Sequence, residues 1–285
     1  MTSSAPTRKA ALITGSTDGL GRAVARALAA SGFHVVIHGR DTRRGEDLVH
    51  EISARGGSAS FLRADFASLA EVRGLADAVC RKHHRLHLLI NNAGIGTGDG
   101  SGSPAPRRIS ADGYELRFAV NYLAGYLLTR LLLPNLLRAA PARIVNVASV
   151  GQYPLDFDNL MLVRAYSGMR AYAQSKLAQV MLTLDLAAEL RGSGVTVNCL
   201  HPATYMDTSM VRAAGVEPVS TVAEGEAAVM HLAVAPELEG RTGEYFDGMR
   251  PSKANAQAYD PRIRRRLAEV SAQLTGLDQS PGPAG

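Results

Sequence analysis

Short apolar runs alternate with longer runs of helical spacing from residue 9 to about residue 250. The runs AALIT (10–14), HVVIHG (34–39), ASFLRA (59–64), HLLINN (87–92), ARIVNVA (142–148) and VTVNCL (195–200), with a weaker GEYF (243–246), predict β-strands. Several are apolar at nearly every position, as parallel strands covered on both faces must be. Between them lie GLGRAVARALAAS, RRGEDLVHEISARG, LAEVRGLADAVCRK, a stretch from about 112 to 139, and YAQSKLAQVMLTLDLAAELRGSG. These read as helices, and several end in a glycine that suits a C-cap. The alternation predicts an α/β fold: a single doubly wound parallel sheet of about seven strands with helices on both faces. Residues 9–250 make up this domain, 251–275 a helical C-terminal extension of it, and 1–8 and 276–285 disordered tails. The Gly-, Ser- and Pro-rich segment 97–110 breaks the rhythm directly after the fourth strand and reads as a mobile loop beside a ligand crevice.

Composition narrows the picture. The 285 residues are 46% hydrophobic and 20% charged, as in ordinary soluble proteins, with a net charge of +5. The basic concentrations at RKHHR (81–85) and at Arg262, Arg264, Arg265 and Arg266 have no interleaved aromatic residues, so no nucleic-acid partner is expected. A positive surplus does suit a polyanionic cofactor. Cys80 and Cys199 lie in apolar contexts and read as free thiols. The polar start MTSSAPTRKA carries no leader pattern, and the apolar stretch 123–137 is broken by Arg130 and Pro134. The expectation is a cytoplasmic protein with no membrane partner. Among His83, His84 and His87 no cysteine or carboxylate completes a ligand set, so no metal is expected. His201 reads as a capping or packing histidine, and no G-x-S-x-G hydrolase elbow occurs.

The turn ITGSTDGLG after the first strand brings Gly15, Ser16, Thr17, Asp18, Gly19, Leu20 and Gly21 to the start of a helix. Glycines there let the backbone turn tightly and approach a pyrophosphate, which the helix N-terminus favours. This is the Rossmann dinucleotide pattern in its proper βαβ context. An NAD site wants an acid at the end of the second strand, where this chain has Gly39 followed by Arg40. An arginine there pairs with a 2′-phosphate, so NADP(H) is the expected cofactor. Asp41 reads as the cap of the next helix, and His38 and Thr42 as helpers at the phosphate. Asp65 and Phe66 follow the third strand where an adenine would lie, and Asn92, Ala93 and Gly94 suit backbone packed close to a cofactor.

Tyr172 and Lys176 stand four apart in YAQSK and therefore on one helix face. A cation beside a phenol favours its ionised form and lowers its pKa towards neutrality, where it can exchange protons. Asn121 is an indifferent helix-interior residue inside a long helical pattern, and Ser149 ends the fifth strand facing the crevice. TGSTDGLG (14–21), NNAG (91–94), Asn121, Ser149 and YAQSK (172–176), in this order, resemble the short-chain dehydrogenase/reductase family over residues 9 to about 250. NYLAGYLLTRLLLPNL, AYAQSKLAQVMLT, VTVNCLHPA and RRLAEVSAQLTGL are loosely similar to its retinol-dehydrogenase-like branch. The chain departs from the pattern at Pro202-Ala203, where Pro-Gly is usual, and in lacking any tryptophan in the tail helix.

The resemblance implies an oxidoreductase interconverting a carbonyl and an alcohol. Tyr172 is then the proton donor and acceptor, Lys176 its electrostatic partner and a ribose ligand, Ser149 a donor to the substrate oxygen, and Asn121 the holder of a relay water. Pro202 and Thr204 would approach the nicotinamide. A substrate lid is expected at about 203–220, with Ser149, Gln152, Tyr153, Tyr172 and Tyr205 lining a site for an apolar or aromatic ketone, aldehyde or quinone. The Ala- and Arg-rich composition points to a GC-rich bacterial genome and to secondary metabolism. Self-pairing through the helices at 112–139 and 167–191 would give a homodimer or homotetramer, which the basic helix from Asp260 to Leu274 either blocks or extends. The alternative is the same fold and cofactor without net redox turnover, as in an epimerase, a dehydratase-like enzyme or a sensor.

Overall fold

A computed structural model describes residues 8–98 and 106–277. Residues 99–105 of the expected loop, and the expected tails apart from Arg8, Gly276 and Leu277, lie outside the described residues. All seven expected strands form: β1 (Ala10–Ile13), β2 (His34–Gly39), β3 (Ser58–Arg63), β4 (Leu88–Asn91), β5 (Ala142–Val147), β6 (Val195–His201) and β7 (Tyr245–Asp247). They lie parallel in the order β3-β2-β1-β4-β5-β6-β7. The sheet has eight strands rather than seven, because β8 (Arg250–Ser252) returns antiparallel on β7 with Ser252 opposite Tyr245. Its exposed Arg-Pro-Ser has no apolar alternation to announce it, and proline is tolerated only at such an edge.

Successive side chains of a strand point to opposite faces, and each face has its own core. Leu12, Leu89, Ile144 and Val197 meet α3 (Leu69–Lys82), α5 (Ala124–Ala139) and α6 (Gly168–Glu189) on one side. Ile13, Ile37, Ile90 and Val145 meet α1 (Gly19–Ala30), α2 (Thr42–Ala54) and α8 (Val222–Val234) on the other. The α8 segment VAEGEAAVMHLAV is apolar almost all round, so its helical period is faint in the sequence. The long pattern from 112 begins as a short turn, α4 (Leu116–Phe118), and passes through a π-helical segment, Ala119–Leu123, before α5.

The helix α9 (Pro261–Thr275) ends on Gly276 in the left-handed conformation and lies across the two long helices. Ser271 and Tyr122 share a buried 2.7 Å hydrogen bond, Arg264 pairs with Asp185 at 2.6 Å, and the Tyr114 hydroxyl donates to Leu274 O. A helix of the same chain therefore covers part of the face expected to self-pair. Among the described residues, no helix is long and apolar enough to cross a membrane.

Strand order reverses between β1 and β4, so their carboxyl ends open a crevice. The expected site residues gather around it.

Candidate active site

The β1–α1 turn is held by contacts too close for side chains. Gly15 has φ +65°, and a Cβ there would lie 2.8 Å from Ala93 Cα. A Cβ on Gly21 would lie 2.3 Å from Gly15 O and 2.5 Å from Asn92 Nδ2. Asn92 fastens the turn from β4, its Nδ2 donating to Thr14 O and Gly15 O at 2.8 and 3.0 Å. Ser16 is fully buried and its hydroxyl donates to Ile13 O, so it shapes the turn and presents no side chain to a ligand. Asp18 caps α1 through Gly19 N and accepts from Ser209 Oγ at 2.7 Å. That bond, with burial working against it and Arg44 nearby, lowers the Asp18 pKa.

Gly39 lies against Thr17, whose Oγ1 would be 2.7 Å from an added Cβ, so an acid there would require the Thr17 side chain to shift. Arg40 follows with its side chain 67% exposed and 3.9 Å from Asp65. Asp41 caps α2 by accepting from Arg44 N at 3.0 Å, as its position implied. His38 differs from the expectation of a phosphate helper. It is buried beneath the turn and bonded to Gly15 and Ala64. Phe66, expected at the adenine, is buried with its ring stacked on His38 at 4.4 Å.

Tyr172 and Lys176 project from α6 towards the ends of β4 and β5. Lys176 is buried, and its ammonium donates to Val147 O at 2.8 Å and Gln179 Oε1 at 3.0 Å. Burial pulls its pKa down to about 7. The ammonium is 5.6 Å from the Tyr172 ring centroid. Burial raises the Tyr172 pKa, with the Ser149 hydroxyl opposing the shift and Tyr205 reinforcing it. The spacing argument put the two on one face, but desolvation penalises both charged forms and outweighs their mutual help. At neutral pH this chain therefore presents a protonated phenol.

Asn121 sits in the π-helical segment and is buried. It accepts from Ile95 N at 2.8 Å and donates to Ile95 O and Ser175 Oγ. A Cβ on Gly94 would stand 3.3 Å from Asn121 Oδ1 and 3.7 Å from Lys176 Nζ, so the glycine leaves a cradle beside both groups. Sequence reasoning missed Gln179 and Gly151. Gly151 N donates to Ser149 Oγ, and a Cβ there would lie 3.4 Å from Ser149 Oγ and 3.9 Å from Tyr172 Cε1. Gln179 had a helical signal, three residues after Lys176, which places it one turn away on the same side.

On the substrate side, Tyr153 and Tyr205 are both half exposed. Arg170 lies over the Tyr153 ring at 5.2 Å. Gln152 does not offer its amide freely: Nε2 donates to Ser149 O and Oε1 accepts from Asn255 N. It forms the wall behind Ser149. Pro202 is buried, and Thr204 shares a 3.0 Å bond with His201 Nε2. The expected lid leaves the sheet there, forms α7 (Ser209–Ala213), and returns where Ser220 bridges to Met206. Among the described residues no group of three or more His, Cys, Asp or Glu side chains could hold a metal, and both cysteines are free.

Comparison with known proteins agrees with this geometry. The short chain dehydrogenase family model matches residues 9–217. Human retinol dehydrogenase 13 is 36% identical, covering 95% of this chain and 85% of its own length. Mouse polyprenol dehydrogenase is 39% identical, covering 94% and 84%. Among solved structures, a short chain dehydrogenase from Burkholderia cenocepacia in complex with NADP has a TM-score of 0.67 at 28% identity, over 84% of this chain and 95% of that one. A second from Shigella flexneri, also complexed with NADP, has a TM-score of 0.69 at 25% identity, over 84% and 96%. The chain belongs to the short-chain dehydrogenase/reductase family, with retinol-dehydrogenase-like proteins among its relatives.

Proposed function

We propose that this chain is an NADP(H)-dependent oxidoreductase that reduces the carbonyl of an apolar or aromatic small molecule and can run the reverse oxidation. The observation that carries the reading is the convergence of Ser149, Tyr172 and Lys176 on one crevice beside the β1–α1 turn. The residues fit a nicotinamide dinucleotide. Gly15, Gly19 and Gly21 leave its pyrophosphate close access to the backbone, the Gly94 cradle leaves room beside Lys176, and Arg40 stands exposed for a 2′-phosphate. When bound, the nicotinamide supplies or accepts the hydride.

The protein's own groups then handle the oxygen. Ser149 donates a hydrogen bond to the substrate oxygen as negative charge grows on it. Tyr172, held protonated by burial, gives that oxygen its proton. Lys176 passes a proton to the resulting phenolate and regains one through the polar groups around Asn121. Tyr153, Tyr205 and Met210 present apolar surface at the mouth, which favours an apolar ligand. Retinol and polyprenol, named in the relatives, are alcohols with long apolar chains, which agrees with that surface. Cytoplasmic location, a role in secondary metabolism and a homo-oligomer belong to this proposal, although α9 covers part of the face expected to pair.

The test is consumption of NADPH and of NADH across a panel of ketones, aldehydes and quinones. NADPH-dependent loss of cofactor with at least one apolar carbonyl is expected. Tight NADPH binding with no turnover on any member would instead favour the reading without net redox.

A further inference from the structure

His38 is an ionisable side chain packed directly beneath the glycine-rich turn. Gly15 N donates to its Nδ1 at 3.2 Å, and its Nε2 lies 3.1 Å from Ala64 O. A carbonyl can only accept, so Nε2 carries the proton and Nδ1 offers a lone pair to Gly15. The backbone of the same residue completes the tie: Ser16 N donates to His38 O at 2.8 Å, and His38 N donates to Ser16 Oγ at 3.0 Å. The other face of the ring stacks on Phe66 at 4.4 Å. One imidazole thus joins the turn after β1 to the turn after β3.

We infer that His38 is a positioning residue for the cofactor site, fixing the Gly15 peptide in the orientation that the dinucleotide needs through its neutral imidazole. This rests on reading the β1–α1 turn as a dinucleotide site. Gly15 has φ +65° and no side chain to restrain it, so an unanchored Gly15 N–H would be free to reorient. An aliphatic residue at 38 would fill the space but leave that N–H buried without a partner. Burial pushes the His38 pKa down to about 4, with the bond to Ala64 and the charge of Asp65 opposing. The ring is therefore neutral in the working range. Asp65 is the charge facing it from the turn after β3, and Arg40, on its own strand's end, approaches Asp65.

The experiment compares wild type with His38→Leu and His38→Asn, in which the Asn Oδ1 takes the place of Nδ1. NADPH affinity is measured by titration, and amide exchange of the peptide spanning Gly15 is measured without ligand. The Leu variant should lose about tenfold or more in affinity and expose the Gly15 amide, while Asn should stay within about threefold of wild type. A folded Leu variant with wild-type affinity and wild-type Gly15 protection overturns the inference, as does an Asn variant as weak as Leu. Should Leu fail to fold, His38→Gln keeps only the donor towards Ala64. It should fold with Gly15 unprotected, and wild-type protection there would overturn the inference. If wild type itself binds no nicotinamide dinucleotide, the cofactor reading falls, while Gly15 exchange still decides the role of His38.

Discussion

The two halves of the crevice are built differently. Around β1, β2 and α1 the positive backbone angles fall on glycines, Gly15 and Gly19, and side-chain amides and hydroxyls are bonded back into the turn. Beyond β5 and β6 glycines such as Gly215 and Gly248 also take positive angles, but so do Leu162, Ala165 and Tyr205, which are ordinary L residues. Several large exposed apolar side chains also lie on that side, among them Val150, Tyr153, Met169, Tyr205 and Met210. The first half is fitted to one invariant shape, a dinucleotide backbone, so its geometry is tight and glycine-dependent. The second half is strained and apolar, as segments that meet a variable ligand tend to be. The proposed chemistry takes place at their meeting point, where Tyr172 and Lys176 stand.

The largest expected effect tests that meeting point. Tyr172→Phe removes the hydroxyl proposed to give the substrate oxygen its proton and should lower kcat by about 10²–10⁴-fold, with NADPH affinity unchanged. Steady-state rates and a binding titration measure the two, and full activity in the variant would end the assignment of Tyr172. The next effect belongs to the cofactor half. Arg40→Ala should weaken NADPH binding by about 10–100-fold, the range for a charge-assisted hydrogen bond, and leave NADH binding unchanged. Equal losses for both cofactors would move the 2′-phosphate contact elsewhere. The smallest effect belongs to the substrate half. Tyr205→Ala removes an exposed ring and leaves the backbone angle unchanged, so KM for an apolar substrate should rise by a few-fold, with NADPH affinity unmoved. A change in cofactor affinity instead would show that the two halves are not separable.

The sequence carried more of the cofactor half than of the substrate half. Gly15, Gly19, Gly21 and Asn92 are legible because tight turns admit few residue types. The shared helix face of Tyr172 and Lys176 is legible because helical spacing is local. The edge strand β8 and helix α8 were not, since one lacks apolar alternation and the other is apolar nearly all round.

By itself the sequence determined the strand–helix order and the glycine-rich turn, and it marked Asn121, Ser149, Tyr172 and Lys176 as candidates. The order and the turn follow from local periodicity and local backbone demand, and the four candidates together from their resemblance, in order, to the family's motifs. Only the tertiary structure decided what those groups experience. It buried Lys176 and Tyr172 so that desolvation outweighs their mutual attraction, and it gave Lys176 the Gln179 amide. It closed Gln152 behind Ser149 and moved His38 from the phosphate to the underside of the turn. Burial and partner geometry are long-range properties, set by which strands and helices pack together, and no spacing along the chain encodes them.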